Sequence, residues 1–186
     1  EPILVGPEKK IREAAELASI YLDGIKIEDV EHSHAAAERA VELAVAGRVS
    51  TLVKGSLHTD ELLAAVVAPR SGLKTERRIS HAYMMDVPAY PKPIVVTDAA
   101  VNIQPTLAQK RDICQNAIDL LRRLGVAEPR VAILAAVETV NAAMPSTLDA
   151  AALTVMAARG QITGAKVDGP LAFDNAISPE AARTKG

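Results

Sequence analysis

A polar run, Lys54-Gly55-Ser56-Leu57-His58-Thr59-Asp60, follows Thr51-Leu52-Val53 and precedes Glu61-Leu62-Leu63. That order reads as a strand, a loop and a helix start, at the carboxyl edge of a sheet where open α/β folds bind ligands. Gly55 would let the backbone approach a ligand closely. Ser56, Thr59 and the unpaired N–H groups of a helix start could cradle an anion such as phosphate, with Lys54 adding charge and His58 standing between the hydroxyls. The same residues could instead cap the helix and face water, since the run is neither a Walker loop nor a G-x-G-x-x-G sequence.

A second cluster, Arg70-Ser71-Gly72-Leu73-Lys74, leads into Arg77-Arg78-Ile79-Ser80-His81. Arginine grips phosphate through two N–H groups at once, and Arg78 and Ser80 stand nearest the strand that follows. A solvated surface loop accounts for the same cations. Acidic residues then close three apolar runs: Asp98 in Asp98-Ala-Ala-Val-Asn102, Glu138 in Glu138-Thr-Val-Asn141, and Asp168 before Gly169-Pro170. Carboxylates converging on one sheet edge can hold a metal or act as bases, and Asn102 could orient a substrate; turns and caps use the same residue types. His32 and His34 suggest a metal pair only superficially, because no further ligand is identifiable and this spacing before a helix also suits a cap. Neither a Ser-His-Asp order nor a G-x-S-x-G elbow is present to support a hydrolase.

These residues would be positioned by short apolar runs alternating with amphipathic stretches, the pattern of parallel strands linked by helices. The fold class expected is therefore α/β. Strands are expected at Pro2–Gly6, Ile25–Val30, Thr51–Gly55, Ile79–Val87, Ile94–Asp98, Arg130–Ala136 and Ile162–Val167. Glu8–Ser19, His34–Ala46 and Thr106–Leu124 carry helical spacing, with Gly47 and Gly125 placed as C-terminal caps. Ser146-Thr-Leu-Asp149 has capping-box spacing before an Ala-rich helix ending at Gly160, and Ser178-Pro179-Glu180 starts another. The proline-rich stretch Pro88–Pro93 is either a hinge between lobes or a plain connection between two strands of one sheet.

Composition narrows the function classes. Across 186 residues, hydrophobic residues make up 49% and charged residues 24%, which favours neither disorder nor a membrane class. No apolar run approaches the roughly 20 residues that span a bilayer, and the start lacks a signal peptide's features, so a cytoplasmic protein without a membrane partner is expected. The net charge of −2 and 2% aromatic content offer neither a basic field nor stacking platforms, so nucleic acid is not an expected partner. Cys114, the single cysteine, excludes an intrachain disulfide and is expected in the core.

Longer motifs go further. Val53-Lys-Gly-Ser-Leu-His-Thr59, Val96-Thr-Asp-Ala-Ala-Val-Asn102, Ala136-Val-Glu-Thr-Val-Asn141, Met144-Pro-Ser-Thr-Leu-Asp-Ala150 and Val167-Asp-Gly-Pro-Leu-Ala-Phe-Asp-Asn-Ala176 occur in order along nearly the whole chain. In these the sequence resembles the phosphate acetyltransferase and phosphate butyryltransferase family, nearest the butyryltransferase branch. A very similar domain occurs fused behind an enoyl-CoA hydratase or MaoC-like domain. The resemblance implies reversible transfer of an acetyl or short acyl group between coenzyme A and inorganic phosphate, giving an acyl phosphate. Coenzyme A would be a substrate, with no other organic cofactor and no metal in the chemistry.

The resemblance also implies a two-lobed architecture like that of isocitrate and isopropylmalate dehydrogenases, with mostly parallel sheets, an active site in the cleft, and a homodimer or higher homo-oligomer. Residues 1–88 would belong to the first lobe and 89–186 to the second. Lys54, Gly55, Ser56, His58, Thr59, Arg78, Ser80, Asp98, Asn102, Glu138 and Asp168 carry over as substrate-binding candidates. The family's Ser-Arg and following Asp, which bind phosphate and assist thiol deprotonation, are expected beyond Gly186, so the sequence is expected to stop inside a larger fold. Two other readings stand beside this one: an NAD-dependent dehydrogenase of the same fold, and a non-catalytic coenzyme-A-binding or oligomerisation domain.

Overall fold

A computed structural model describes residues 1–185. The chain divides into two compact units, Glu1–Glu76 and Arg77–Gly186.

In the first unit, β1 (Ile3–Gly6) and β2 (Lys26–Asp29) are joined by α1 (Glu8–Leu17) and pair in parallel, Ile3 opposite Lys26 through Gly6 opposite Asp29. A helix start leaves N–H groups without partners, and Asp29 Oδ1 accepts the one from Glu8 at 2.8 Å. α2 (Ser33–Val45) turns Ala36, Ala37, Val41 and Leu43 inward. Its Arg39 reaches back to Glu28 on β2 and along its own helix to Glu42. α3 (Thr59–Val67) completes the unit.

The second unit begins with β3 (Ala82–Met85) and β4 (Ile94–Thr97), an antiparallel pair running from Ala82 opposite Thr97 to Met85 opposite Ile94. Pro88–Pro93 connects these two paired strands. α4 (Leu107–Arg123) follows, started by Thr106, whose hydroxyl accepts the Gln109 N–H while the Gln109 side chain accepts that of Thr106. β5 (Arg130–Leu134), α5 (Pro145–Ala158) and β6 (Lys166–Leu171) form a second parallel strand–helix–strand unit, and the short α6 (Phe173–Ile177) and α7 (Pro179–Lys185) close it. The core is Cys114 and Ile118 of α4, Leu153 of α5, and Ile162, with Val131, Ile133 and Val167 packed against them from the strands. β5 and β6 approach so closely at Gly169 that a Cβ there would lie 2.7 Å from the Ile133 carbonyl oxygen.

The architecture is mixed α/β, with three two-stranded sheets among the described residues, of which two are parallel. Several expected elements differ. Thr51–Gly55 forms no strand: Val53 is 89% exposed, and an extended segment without a neighbour to share its N–H and C=O groups gains nothing from a ladder. The strand expected at Ile162–Val167 lies instead at Lys166–Leu171. Ile162 is only 3% exposed and serves the core, and Gly164, at φ 85°, turns the chain before β6 can begin. α5 starts at Pro145 without a side-chain cap; the fully buried Thr147 hydroxyl instead accepts the Asn141 N–H at 2.9 Å and donates to the Met144 carbonyl at 2.8 Å. Among the described residues no helix is long and apolar enough to cross a membrane.

Candidate functional site

A polar network in the second unit grows from the end of β4. Asp98 follows the strand directly, and the chain folds back so that its Oδ1 accepts the N–H groups of Ala100 at 3.0 Å and Val101 at 2.9 Å. Its Oδ2 accepts the His81 N–H at 3.2 Å and the Asn102 side-chain amide at 2.6 Å. Burial pushes this carboxyl up, but the donors from Val101, Ala100, Asn102 and His81 outweigh it and hold the group at about 2. Asp98 is therefore an anion with its lone pairs committed to the protein.

Asn102 carries the order outward. Its Nδ2 also donates to the Ile79 carbonyl at 3.0 Å, so both oxygens facing the NH2 group are acceptors, and Oδ1 is left to accept Arg78 Nε at 2.7 Å. α4 straps the Arg78–Ser80 segment down from another side. Asn116 Nδ2 donates to the Arg78 carbonyl and to Ser80 Oγ, both at 2.9 Å, and Asp112 Oδ2 accepts the Arg78 N–H at 3.0 Å. Burial raises the Asp112 pKa, but the Arg111 guanidinium at 2.6 Å and the Arg78 N–H bring it below the usual carboxylate range. Neighbouring Arg77 is paired with Asp119 at 2.6 Å. Arg78 is exposed, and among the described residues its one side-chain partner is a neutral amide. Beside this network the His81 ring lies edge-on to Tyr83, centroids 4.1 Å apart, with Nδ1 buried and unpartnered.

The structure thus joins Arg78, Ser80, Asp98 and Asn102 in one hydrogen-bonded network. Asp112 and Asn116 complete it and escaped the sequence reading, because the stretch Thr106–Leu124 shows its apolar stripe first. Their signal is a polar pair one helical turn apart, on the face that receives the Arg78 segment.

The other candidates lie elsewhere. In the first unit the Lys54 ammonium bends onto its own loop, donating to the Leu57 carbonyl at 2.9 Å and to that of Gly55 at 3.1 Å. Gly55, Ser56, His58 and Thr59 are exposed. Glu61 Oε2 accepts the His58 N–H at 3.1 Å, while its Oε1 accepts the Ser33 hydroxyl at 2.9 Å and lies 3.3 Å from His34 Nδ1. His32 caps α2, its Nδ1 accepting the Ala35 N–H.

In the second unit Glu138 lies 2.8 Å from Lys185, which also pairs with Asp174, and that ammonium holds its carboxyl below the usual range. Asp168 sits within β6, exposed, its Oδ1 accepting the Gly169 N–H. It does not end a strand, because β6 runs past it. Asp98, Glu138 and Asp168 share no hydrogen bond, and among the described residues no group of three or more His, Cys, Asp or Glu side chains is placed to hold a metal ion.

Two parallel strand–helix–strand units, with a polar network at the end of the antiparallel β4, define the molecule as a mixed α/β protein. The chain belongs to the phosphate acetyl/butaryl transferase family, whose model matches residues 35–186. It is 58% identical over 187 residues to the phosphate acetyltransferase of Rickettsia felis, covering 100% of this chain and 54% of that protein. Against the phosphate acetyltransferase of Rhizobium meliloti it is 60% identical, covering 100% and 58%, and against the phosphate butyryltransferase of Clostridium beijerinckii 39%, covering 100% and 62%. Among these relatives the acetyltransferases are the more similar, which corrects the lean towards the butyryltransferase branch. The chain spans about half the length of the rickettsial relatives it matches.

A branched-chain phosphotransacylase from Enterococcus faecalis V583 superposes with a TM-score of 0.79 at 28% identity, covering 98% of this chain and 72% of that one. The EutD phosphotransacetylase from Staphylococcus aureus superposes at 0.74, and at 18% identity shares the fold.

Proposed function

We propose that the protein carrying this chain transfers an acetyl or short acyl group reversibly between coenzyme A and inorganic phosphate. The observation that carries this reading is the 58–60% identity, along the whole chain, to phosphate acetyltransferases. In one direction the coenzyme A thiolate attacks the acyl phosphate carbonyl: a carbon–sulfur bond forms, the carbon–oxygen bond to phosphate breaks, and the thiol proton passes to a base. Holding both substrates together supplies proximity, and donors to the developing oxyanion lower the barrier.

Within this chain Arg78, Ser80, Asp98 and Asn102 are the substrate-binding residues that their shared network favours. Lys54, Gly55, Ser56, His58, Thr59, Glu138 and Asp168 are further contacts proposed from the resemblance. We propose a cytoplasmic homodimer of two-lobed, isocitrate-dehydrogenase-like subunits, with coenzyme A as substrate and no organic cofactor. The greater similarity to acetyltransferases supports acetyl as the preferred group.

The test is to follow free thiol released from acetyl-, propionyl- and butyryl-coenzyme A by the full-length protein, with and without phosphate. Phosphate-dependent release yielding acyl phosphate, fastest with the acetyl thioester, is expected. Absence of release from folded protein with all three overturns the proposal.

A further inference from the structure

We infer that Asn102 and Asp98 are positioning residues: they hold the Arg78 guanidinium by its Nε edge and leave its two terminal nitrogens as an end-on fork for a phosphate group of the substrates. The inference rests on the acyl-transfer reading and names the geometry by which its anion would be held.

A guanidinium has two edges able to take two oxygens of one phosphate, a side edge formed by Nε with one Nη and an end edge formed by both Nη groups. Asn102 Oδ1 occupies Nε at 2.7 Å, so the end edge alone remains for a bidentate grip. What fixes Asn102 is Asp98. Its Oδ2 at 2.6 Å and the Ile79 carbonyl at 3.0 Å both demand a donor, and the amide therefore turns its oxygen to Arg78. The Asn116 amide and the Asp112 carboxylate fix the Arg78 backbone independently.

The choice of a neutral amide matters as much as its direction. Arg77 and Arg111 are each neutralised by a carboxylate at 2.6 Å. Arg78 is separated from the Asp98 charge by the Asn102 amide and keeps its own positive charge for a ligand. The phosphate group has two possible sources, inorganic phosphate with its acyl ester, or the phosphates of coenzyme A itself.

The experiment uses the full-length protein as wild type, R78A, R78K, N102A, N102D and the R78A/N102A double variant. KM is measured separately for phosphate and for acyl-coenzyme A, and inorganic phosphate binding is measured by calorimetry. Loss of Arg78 should weaken phosphate binding about 10- to 100-fold, and loss of Asn102 about three- to tenfold. N102D should be worse than N102A, because a carboxylate there claims the charge, and the double variant no worse than R78A, because Asn102 acts only through the arginine. The same ranking in KM for acyl-coenzyme A, with phosphate unchanged, keeps the relay and assigns the fork to the coenzyme.

Multiplying effects in the double variant, or N102D matching wild type, would overturn the inference. Should N102A fail to fold, R78K decides: lysine keeps the charge but lacks the fork, so unchanged affinity for both substrates overturns it. If wild type releases no coenzyme A, the acyl-transfer reading fails by itself. Calorimetry with inorganic phosphate and with coenzyme A then judges the fork, which stands if R78A weakens binding of either and falls if it weakens neither.

Discussion

Asp98 is the residue on which most of the network converges, and its ionisation has a thermodynamic consequence. The unfolded chain titrates this group at its ordinary 3.8 and the folded chain at about 2. A depressed carboxyl contributes stability in full above its unfolded pKa and loses it as pH falls through its folded one. Urea unfolding of the wild-type chain should therefore show stability falling as pH drops from 4 toward 2, and D98N should flatten that decline while losing stability at pH 7. An acid slope identical in D98N and wild type would contradict the hydrogen-bonding described. That Asp98, Asn102, Arg78 and Ser80 are candidates was legible from residue type and from their places beside apolar runs. Their joining was not, since it requires Arg78 and Asn102, far apart in sequence, to meet beside α4.

Helices were read more surely than strands, for a physical reason. The apolar spacing of α1, α2 and α4 repeats over several turns, whereas a strand of four residues leaves an alternation too short to fix its ends. Nor does alternation show whether a partner exists, which is why Thr51–Gly55 reads as a strand and forms none. Capping residues misled in one case: Thr147 has the chemistry of a cap yet is spent inside the first turn of α5, tying down Asn141. At this scale the α4–α5 contact makes a direct test. Leu153 is 2% exposed against Cys114, Ile118 and Ile162, so L153A should cost about 2–5 kcal/mol in chemical unfolding of the chain. A loss below about 1 kcal/mol would place the core elsewhere.

The two units differ in what they bury. The first hides Ala36, Ala37, Val41 and Leu43, half of them alanine, whereas the second hides Ile113, Ile118, Leu153 and Ile162 with Cys114, Ala117 and Ala150. Opening free energies follow buried apolar contact, so amide hydrogen exchange should be slower in α4 and α5 than in α2. Equal protection would mean that alanine packing in the first unit is worth as much as the branched core of the second. The α/β class was legible from alternation along the chain; the division at Glu76 was not, because no shift of composition marks it. Every described sheet pairs strands consecutive in the chain, β1 with β2, β3 with β4 and β5 with β6. During synthesis, then, none of the described strands has to wait for its described partner beyond the next strand, and the first unit can pair β1 with β2 before Arg77 has been translated.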